Sequence, residues 1–251
     1  MEFIGNKDAV FLANILASDI SQGYNHNIII QGKSGYGKTT LAKYIANKAD
    51  VTFSKLLGND EVRSKSLILI IDEVHLAKNP ETYYDIMDNH YQTIILITTE
   101  VGNLPIPLVN RCISIDLREY SQEELLKIAR QNGKNYSDNV LMEVVRRCRS
   151  VPRVIVTIIE RLDAYKRMGN RLTEENIQTI LNNFGIYENG FTELDYNYLK
   201  FLENNGGKAS LNTISKYMEL PKNTLENYIE PFLLRRRLIK ITSRGRELDG
   251  N

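Results

Sequence analysis

The chain has 251 residues, 42% of them apolar and 25% charged, with 32 basic against 31 acidic side chains and a net charge of +1. This composition excludes a disordered chain, a collagen and a disulfide-stapled miniprotein, and the near-zero charge means that affinity for a polyanion must come from a local patch. The length suits one or two domains, or three if the extra pieces are small. The longest apolar run, Leu67 to Ile71, falls far short of a membrane span, and Met1 to Gly5 lacks a basic leader before an apolar stretch, so a soluble, cytoplasmic, membrane-free protein is expected. Cys112, Cys148, His26, His75 and His90 lie far apart without metal-ligand spacing, and both cysteines read as buried thiols.

Asn27 to Ile30 is the first short β-branched run, and it leads into Gly32-Lys33-Ser34-Gly35-Tyr36-Gly37-Lys38-Thr39, which fits GxxxxGK[ST]. A helix carrying Leu41, Tyr44 and Ile45 on one face follows, as this phosphate loop requires. The glycines let backbone N–H groups converge on phosphate oxygens at the positive end of that helix. Lys38 is placed to reach the β and γ phosphates of ATP and the Thr39 hydroxyl to bind magnesium, with Thr40 completing the stretch.

Leu67 to Ile71 is a second strand, and it ends in Asp72-Glu73. Two carboxylates at the tip of a buried strand are costly unless a cation meets them. Asp72 is expected to hold magnesium through water, and Glu73 to orient or deprotonate the attacking water. Thr93 to Ile97 ends at Thr98-Thr99, where a hydroxyl would position that water, and Ile113-Ser114-Ile115 is the fourth strand. Runs that are apolar at every position indicate a parallel sheet covered on both faces, so residues 1–118 read as an α/β domain. Arg111, closing a short helix after Pro107, and Arg153, opening a helix after Pro152, are the candidate nucleotide-contacting arginines.

From Ser121 the pattern turns helical, with a capping box of Ser121 and Glu124 and a stop at Gly133. Val140 to Arg149, Pro152 to Met168 and Thr173 to Phe184 continue it, giving a helical lid over residues 119–188. Residues 189–251 read as a winged helix, with helices near 192–204, 211–218 and 222–236 and strands at Leu238 to Thr242 and Arg246 to Leu248. Pro231 is expected to kink the third helix, and Tyr217, Tyr228 and Phe232 to fill the core. Arg235, Arg236, Arg237, Lys240, Arg244 and Arg246 form a run without an acid, a patch suited to DNA phosphates, with Gly245 allowing a tight wing turn.

Together these motifs resemble the AAA+ ATPases, and specifically the RuvB family. Phe3-Ile4-Gly5-Asn6 resembles that family's FIGQ, Asp72-Glu73-Val74-His75 its DEIH, and Thr98-Thr99 its ATTRAG strand end. Pro107 to Arg111 resembles PLRDR, Val151-Pro152-Arg153 resembles TPR, and Glu230 to Leu234 with Ser243 to Arg246 resembles EPYLLQ and PRGR of the family's winged helix. The resemblance implies that Ile4 contacts nucleotide, that Thr99 is sensor 1, that Arg153 is sensor 2, and that Arg111 is an arginine finger offered to a neighbouring subunit. It also implies a homo-oligomeric ring or spiral, a hexamer being one such form, that uses ATP and magnesium to move DNA in recombination or replication. Only 25 residues separate Asp72 from Thr98, where the family carries a hairpin that docks on RuvA, so RuvA is not an expected partner. Another DNA-processing protein remains open as one. Glu100 and Val109 stand where the family has arginine, and Ser150 where it has glycine.

Two other functions fit the same residues. One is a clamp-loader or helicase-loader switch, since Pro107 to Cys112 also resembles the clamp-loader SRC region. The other is a winged-helix DNA-binding protein with a regulatory nucleotide site, against which Glu73 argues.

Overall fold

The computed structural model describes residues 2–58, 66–89 and 92–249; His90 lies outside them. The chain divides into two compact units, Met1–Asn135 with Ser150–Ala164, and Tyr136–Arg149 with Tyr165–Asn251. No described helix is long and apolar enough to cross a membrane.

The first unit runs α1 (Lys7–Ser21), β1 (Asn27–Gln31), α2 (Lys38–Ala49), β2 (Phe53–Leu57), β3 (Ile68–Asp72), α3 (Tyr84–Asn89), β4 (Thr93–Thr98), α4 (Ile106–Val109), β5 (Ile113–Asp116) and α5 (Gln122–Asn132). Helix α6 (Asp138–Arg146) belongs to the second unit, and α7 (Pro152–Arg167) begins in the first. The five strands form a parallel sheet in the order β2-β3-β4-β1-β5. Strands β3 and β4 are buried along their whole length and β1 over its first four residues, which is why their sequences are apolar at every position. Ile29, Leu69, Ile71, Ile94 and Leu96 pack on one face with Tyr83, Met87 and Leu108. By strand alternation Ile28, Ile30, Ile68, Ile70, Ile95 and Ile97 belong to the other face.

The edge strand β2 carries no such apolar run and was not expected from the sequence. Register places Gln31 beside Thr98 and Asp116, and Leu57 beside Asp72, so the carboxyl ends of all five strands meet along one rim. Parallel α/β sheets bind their ligands at that rim. Between β3 and β4 the described residues form two single 3₁₀ turns, Val74–Leu76 and Pro80–Tyr83, and then α3, with no strand among them.

Ser121 caps α5 as expected: its hydroxyl accepts the Glu124 amide, and the Glu124 carboxylate accepts the Ser121 amide. In the second unit α6 and α8 (Ile177–Asn183) precede a winged helix. That module consists of α9 (Glu193–Asn204), β6 (Lys208–Ala209), α10 (Leu211–Met218), α11 (Lys222–Thr224), a π-helical turn (Leu225–Ile229), α12 (Glu230–Arg235), β7 (Ile239–Thr242) and β8 (Gly245–Leu248). The three strands form an antiparallel sheet in the order β6-β8-β7, so β8 lies in the middle. Gly245 is required there, because a Cβ would lie 2.4 Å from the Ala209 carbonyl oxygen.

The third helix is not continuous. Pro231 offers no N–H and would crowd the carbonyl four residues before it, and the chain answers with the wider π turn just upstream. Phe232 is buried in the core with Tyr198, Phe201, Leu225 and Leu233. Tyr217 and Tyr228, expected in that core, are instead about 60% exposed, with Tyr217 stacked on Phe201 at 4.2 Å.

Candidate functional site

The phosphate loop joins β1 to α2. Gly32 passes so close to Leu117 that a Cβ would stand 2.8 Å from the Leu117 carbonyl oxygen, so the loop cannot carry a side chain there. The buried Lys38 ammonium donates to the carbonyls of Gly32 (2.8 Å) and Lys33 (3.1 Å), folding the loop around its own cation. Burial holds that ammonium below the usual lysine range, with Arg153 adding to the effect and Glu73 and Asp72 opposing it.

Asp72 ends β3 on the rim beside the start of α2. Its Oδ2 accepts the Thr39 hydroxyl at 3.1 Å, and its Oδ1 accepts the Glu73 amide at 3.1 Å. The sequence reading missed a third partner: the Lys55 ammonium of β2 lies 2.6 Å from Asp72 Oδ2. No cluster of three or more His, Cys, Asp or Glu gathers among the described residues. One hydroxyl and one carboxylate, both hard oxygen donors, nevertheless fit magnesium, which keeps most of its shell as water and phosphate oxygen.

Glu73 stands at the pocket with a left-handed backbone (φ 52°) that turns the chain sharply after the strand. His75 Nδ1 lies 3.5 Å from Glu73 Oε2 and 3.1 Å from the hydroxyl of the fully buried Thr98, which also accepts the Glu100 amide. The structure thus links Thr98, through His75, to Glu73. Thr99, the expected sensor, is half-buried and does not line the pocket. His75 entered the sequence reading only as the last residue of the stretch that resembles DEIH, with no role assigned to it.

These groups line a pocket of about 320 Å³. One end is polar, with Lys38, Thr39, Asp72, Glu73 and Arg153; the other is apolar, with Phe3, Ile4, Tyr120, Ile128 and Val156. Ser34, Gly35, Tyr36, Gly37 and Thr40 complete the wall as expected, whereas Gly32 and Lys33 do not reach it. Tyr120 is a functional residue the sequence reading passed over. Its hydroxyl donates to the Tyr36 carbonyl at 2.7 Å, its ring meets Tyr36 edge-on, and burial pushes its phenol up to about 12. Arg153 is tied to the loop by its amide, which donates to the Gly35 carbonyl at 3.2 Å.

Arg111 lies outside this pocket. Its guanidinium grips Asp88 of α3 through Nε (2.8 Å) and Nη2 (3.2 Å), donates from Nη1 to the Pro107 carbonyl (2.9 Å), and sits 4.6 Å over the Tyr84 ring. The paired hydrogen bond to Asp88 raises its already high pKa. Nearby, burial pushes the Cys112 thiol up to about 12; neither cysteine is in a disulfide, and of the two expected buried thiols Cys148 is buried and Cys112 only partly so.

In the basic tail the residues part company. Arg244 is exposed at the tip of the β7–β8 hairpin, and Arg237 is exposed in a left-handed conformation (φ 55°) after α12. Arg235 and Arg236 are also exposed, donating to the carbonyls of Pro231 (3.2 Å) and Asn189 (2.9 Å). Arg246, expected to reach DNA with them, turns inward. Its Nε and Nη2 donate to Glu230 (2.9 and 3.0 Å) and its Nη2 to Glu226 (3.1 Å), while Glu230 also accepts the Tyr198 hydroxyl (2.8 Å). The reason is its place on the central strand, whose side chain here faces the helices that carry these acids.

Comparison with known proteins agrees with this architecture. Residues 188–250 match the sequence profile of the RuvB C-terminal winged helix domain. The Holliday junction branch migration complex subunit RuvB of Mycoplasma genitalium is 28% identical over 98% of this chain and 92% of its own length. Its counterpart in Phytoplasma mali is 29% identical over 98% of this chain and 87% of its own length. Among solved structures, the Thermotoga maritima RuvB Holliday junction branch migration motor superposes with a TM-score of 0.81 at 24% identity, over 99% of this chain and 93% of that one. The chain therefore resembles RuvB from end to end, with an AAA+ sheet and a RuvB-type winged helix.

Proposed function

We propose that this protein is an ATP-hydrolysing, DNA-binding motor of the RuvB type, acting as a ring or spiral in DNA recombination or replication. The observation that carries the reading is the convergence of Lys38, Thr39, Asp72, Glu73 and Arg153 on one pocket at the rim of a parallel sheet. A hydrolase needs those groups together, whereas a regulatory nucleotide site has no use for Glu73.

On binding, the Lys38 ammonium exchanges the Gly32 and Lys33 carbonyls for the β and γ phosphates, while the loop amides cradle the same oxygens. Phe3, Ile4 and Tyr120 enclose the base end. Thr39 and Asp72 would hold magnesium, which would supply positive charge against the phosphoryl oxygens. Glu73 orients the attacking water and takes its proton, and His75 with Thr98 fixes the carboxylate from behind. Arg153 supplies a cation from α7, and Arg111 of a neighbouring copy supplies one in trans, which is the reason for assembly. Residues 1–118, 119–188 and 189–251 then serve as motor, lid and DNA-binding modules. Arg235, Arg236, Arg237 and Arg244 contact the phosphate backbone.

The short β3–β4 connection, with two turns and α3 but no strand among its described residues, fits the motor reading whether or not RuvA is a partner. It equally favours a second reading, a loader that opens another protein's ring. ATP-driven movement of a synthetic four-way junction by the purified protein separates the two. Junction movement that is lost in Glu73→Gln supports the motor. DNA-stimulated ATP turnover with no strand movement overturns it in favour of the loader.

A further inference from the structure

Asp72 has four directions in which its carboxylate can be met. Oδ1 takes the Glu73 amide, and Oδ2 takes both the Thr39 hydroxyl at 3.1 Å and the Lys55 ammonium at 2.6 Å. The contact follows from strand register. Lys55 is paired with Ile70 and Leu57 with Asp72, so in a parallel ladder Lys55 and Asp72 emerge on the same face, offset by two residues along the strands. A lysine stem spans that offset. The two ends of the pair differ in environment: the Asp72 side chain is 12% exposed and that of Lys55 is 38% exposed. The carboxylate is fixed and enclosed, whereas the ammonium reaches it from open solvent and is free to withdraw.

We propose that Lys55 is a resident counter-cation of Asp72 that competes with magnesium for the same carboxylate oxygen. The inference rests on the reading of Asp72 and Thr39 as the magnesium side of the nucleotide site. In the free protein Lys55 is the cation in direct contact with a carboxylate at the end of a buried strand. Loading of nucleotide with magnesium would displace the ammonium, since Asp72 Oδ2 already meets both the Thr39 hydroxyl and the Lys55 ammonium, and a second cation drawn to that oxygen is repelled by the first. The site thereby acquires a magnesium threshold: the metal must outcompete an internal charge before nucleotide binds tightly.

The test is binding, measured without turnover. ADP affinity of the full chain is followed by calorimetry in EDTA and across a series of free magnesium concentrations, for the parent, Lys55→Met and Lys55→Arg, with melting curves to show that each is folded. The expected result for Lys55→Met is a fall of about two- to fivefold in the magnesium needed to tighten ADP binding, the size of a partly exposed ion pair. ADP binding in EDTA should weaken, because Asp72 then faces the phosphates unneutralised. Lys55→Arg should keep the parent threshold. An unchanged or raised magnesium requirement in folded Lys55→Met overturns the competition. Asp72→Asn separates the two levels: it should abolish the magnesium effect, and if it keeps that effect in full, the assignment of the metal side itself is wrong.

Discussion

Removing Arg246 should unfold the winged helix rather than free it from DNA. The Glu230 side chain is 2% exposed and is held by Arg246 through both oxygens and by the Tyr198 hydroxyl, Arg246 being its only charged partner among the described residues. Arg246→Ala leaves this buried carboxylate with one neutral donor. Breaking a buried pair from one side costs about 3–5 kcal/mol, a large share of the roughly 5–15 kcal/mol that stabilises a domain. For a unit of about 100 residues each kcal/mol moves the midpoint by about 4–8 °C, so the melting temperature should drop by roughly 12 °C or more. Glu230→Gln in the same background should recover much of the loss, because Tyr198 keeps an acceptor and no unpaired charge remains. Differential scanning calorimetry of the three proteins is the assay. A folded Arg246→Ala protein that melts within about 2 °C of the parent and binds DNA more weakly would refute the structural role and return Arg246 to the DNA surface.

Lys38→Ala should abolish nucleotide binding measured by calorimetry, while Glu73→Gln keeps binding and loses hydrolysis; normal turnover in the latter would exclude Glu73 as the water-orienting group. Arg111→Ala should bind ATP but hydrolyse it poorly, and mixing it with Glu73→Gln protein should restore some turnover. Mixtures as inactive as either parent would contradict a shared site. Arg244→Ala should leave the melting temperature alone and reduce the slope of log K against log salt for duplex DNA by about 0.9, whatever the sequence; an unchanged slope would exclude a phosphate contact there. Thr98→Val removes the hydroxyl facing His75 and should lower kcat with little effect on ADP affinity, and a parental kcat would show that the link to Glu73 is idle.

The candidate nucleotide site was legible because its motifs are written in contiguous residues. A phosphate loop is a local backbone shape with fixed glycine spacing, and Asp72-Glu73 declares itself by ending an apolar run. What escaped were relations between distant segments. Lys55 lies on an edge strand whose mixed sequence gives no periodic signal, and its meaning comes only from register with β3. Arg246 read as part of an acid-free run, yet its partners Glu226 and Glu230 lie on the preceding helical segment and reach it only when β8 is paired on both sides. Tyr217 and Tyr228 show the converse, since helical spacing marked a face but not whether another element covers it.

The π turn before Pro231 fits one residue more into a turn than an α-helix does. Its five residues, Leu225 to Ile229, occupy a widened loop, so everything C-terminal of it is rotated by about 100° relative to a plain α-helix of the same length. Proline and π turn solve each other's problem: the wider turn relieves the ring's clash with the backbone behind it, and the proline in turn removes the N–H that would draw the segment back to α spacing. The azimuth at which Arg235 and Arg236 leave α12 is therefore set by the π turn together with their hydrogen bonds to the Pro231 and Asn189 carbonyls. Adding or deleting a single residue upstream would turn the exposed arginines of the tail about the helix axis, with the core positions Leu225, Ile229 and Leu233 left to absorb the difference.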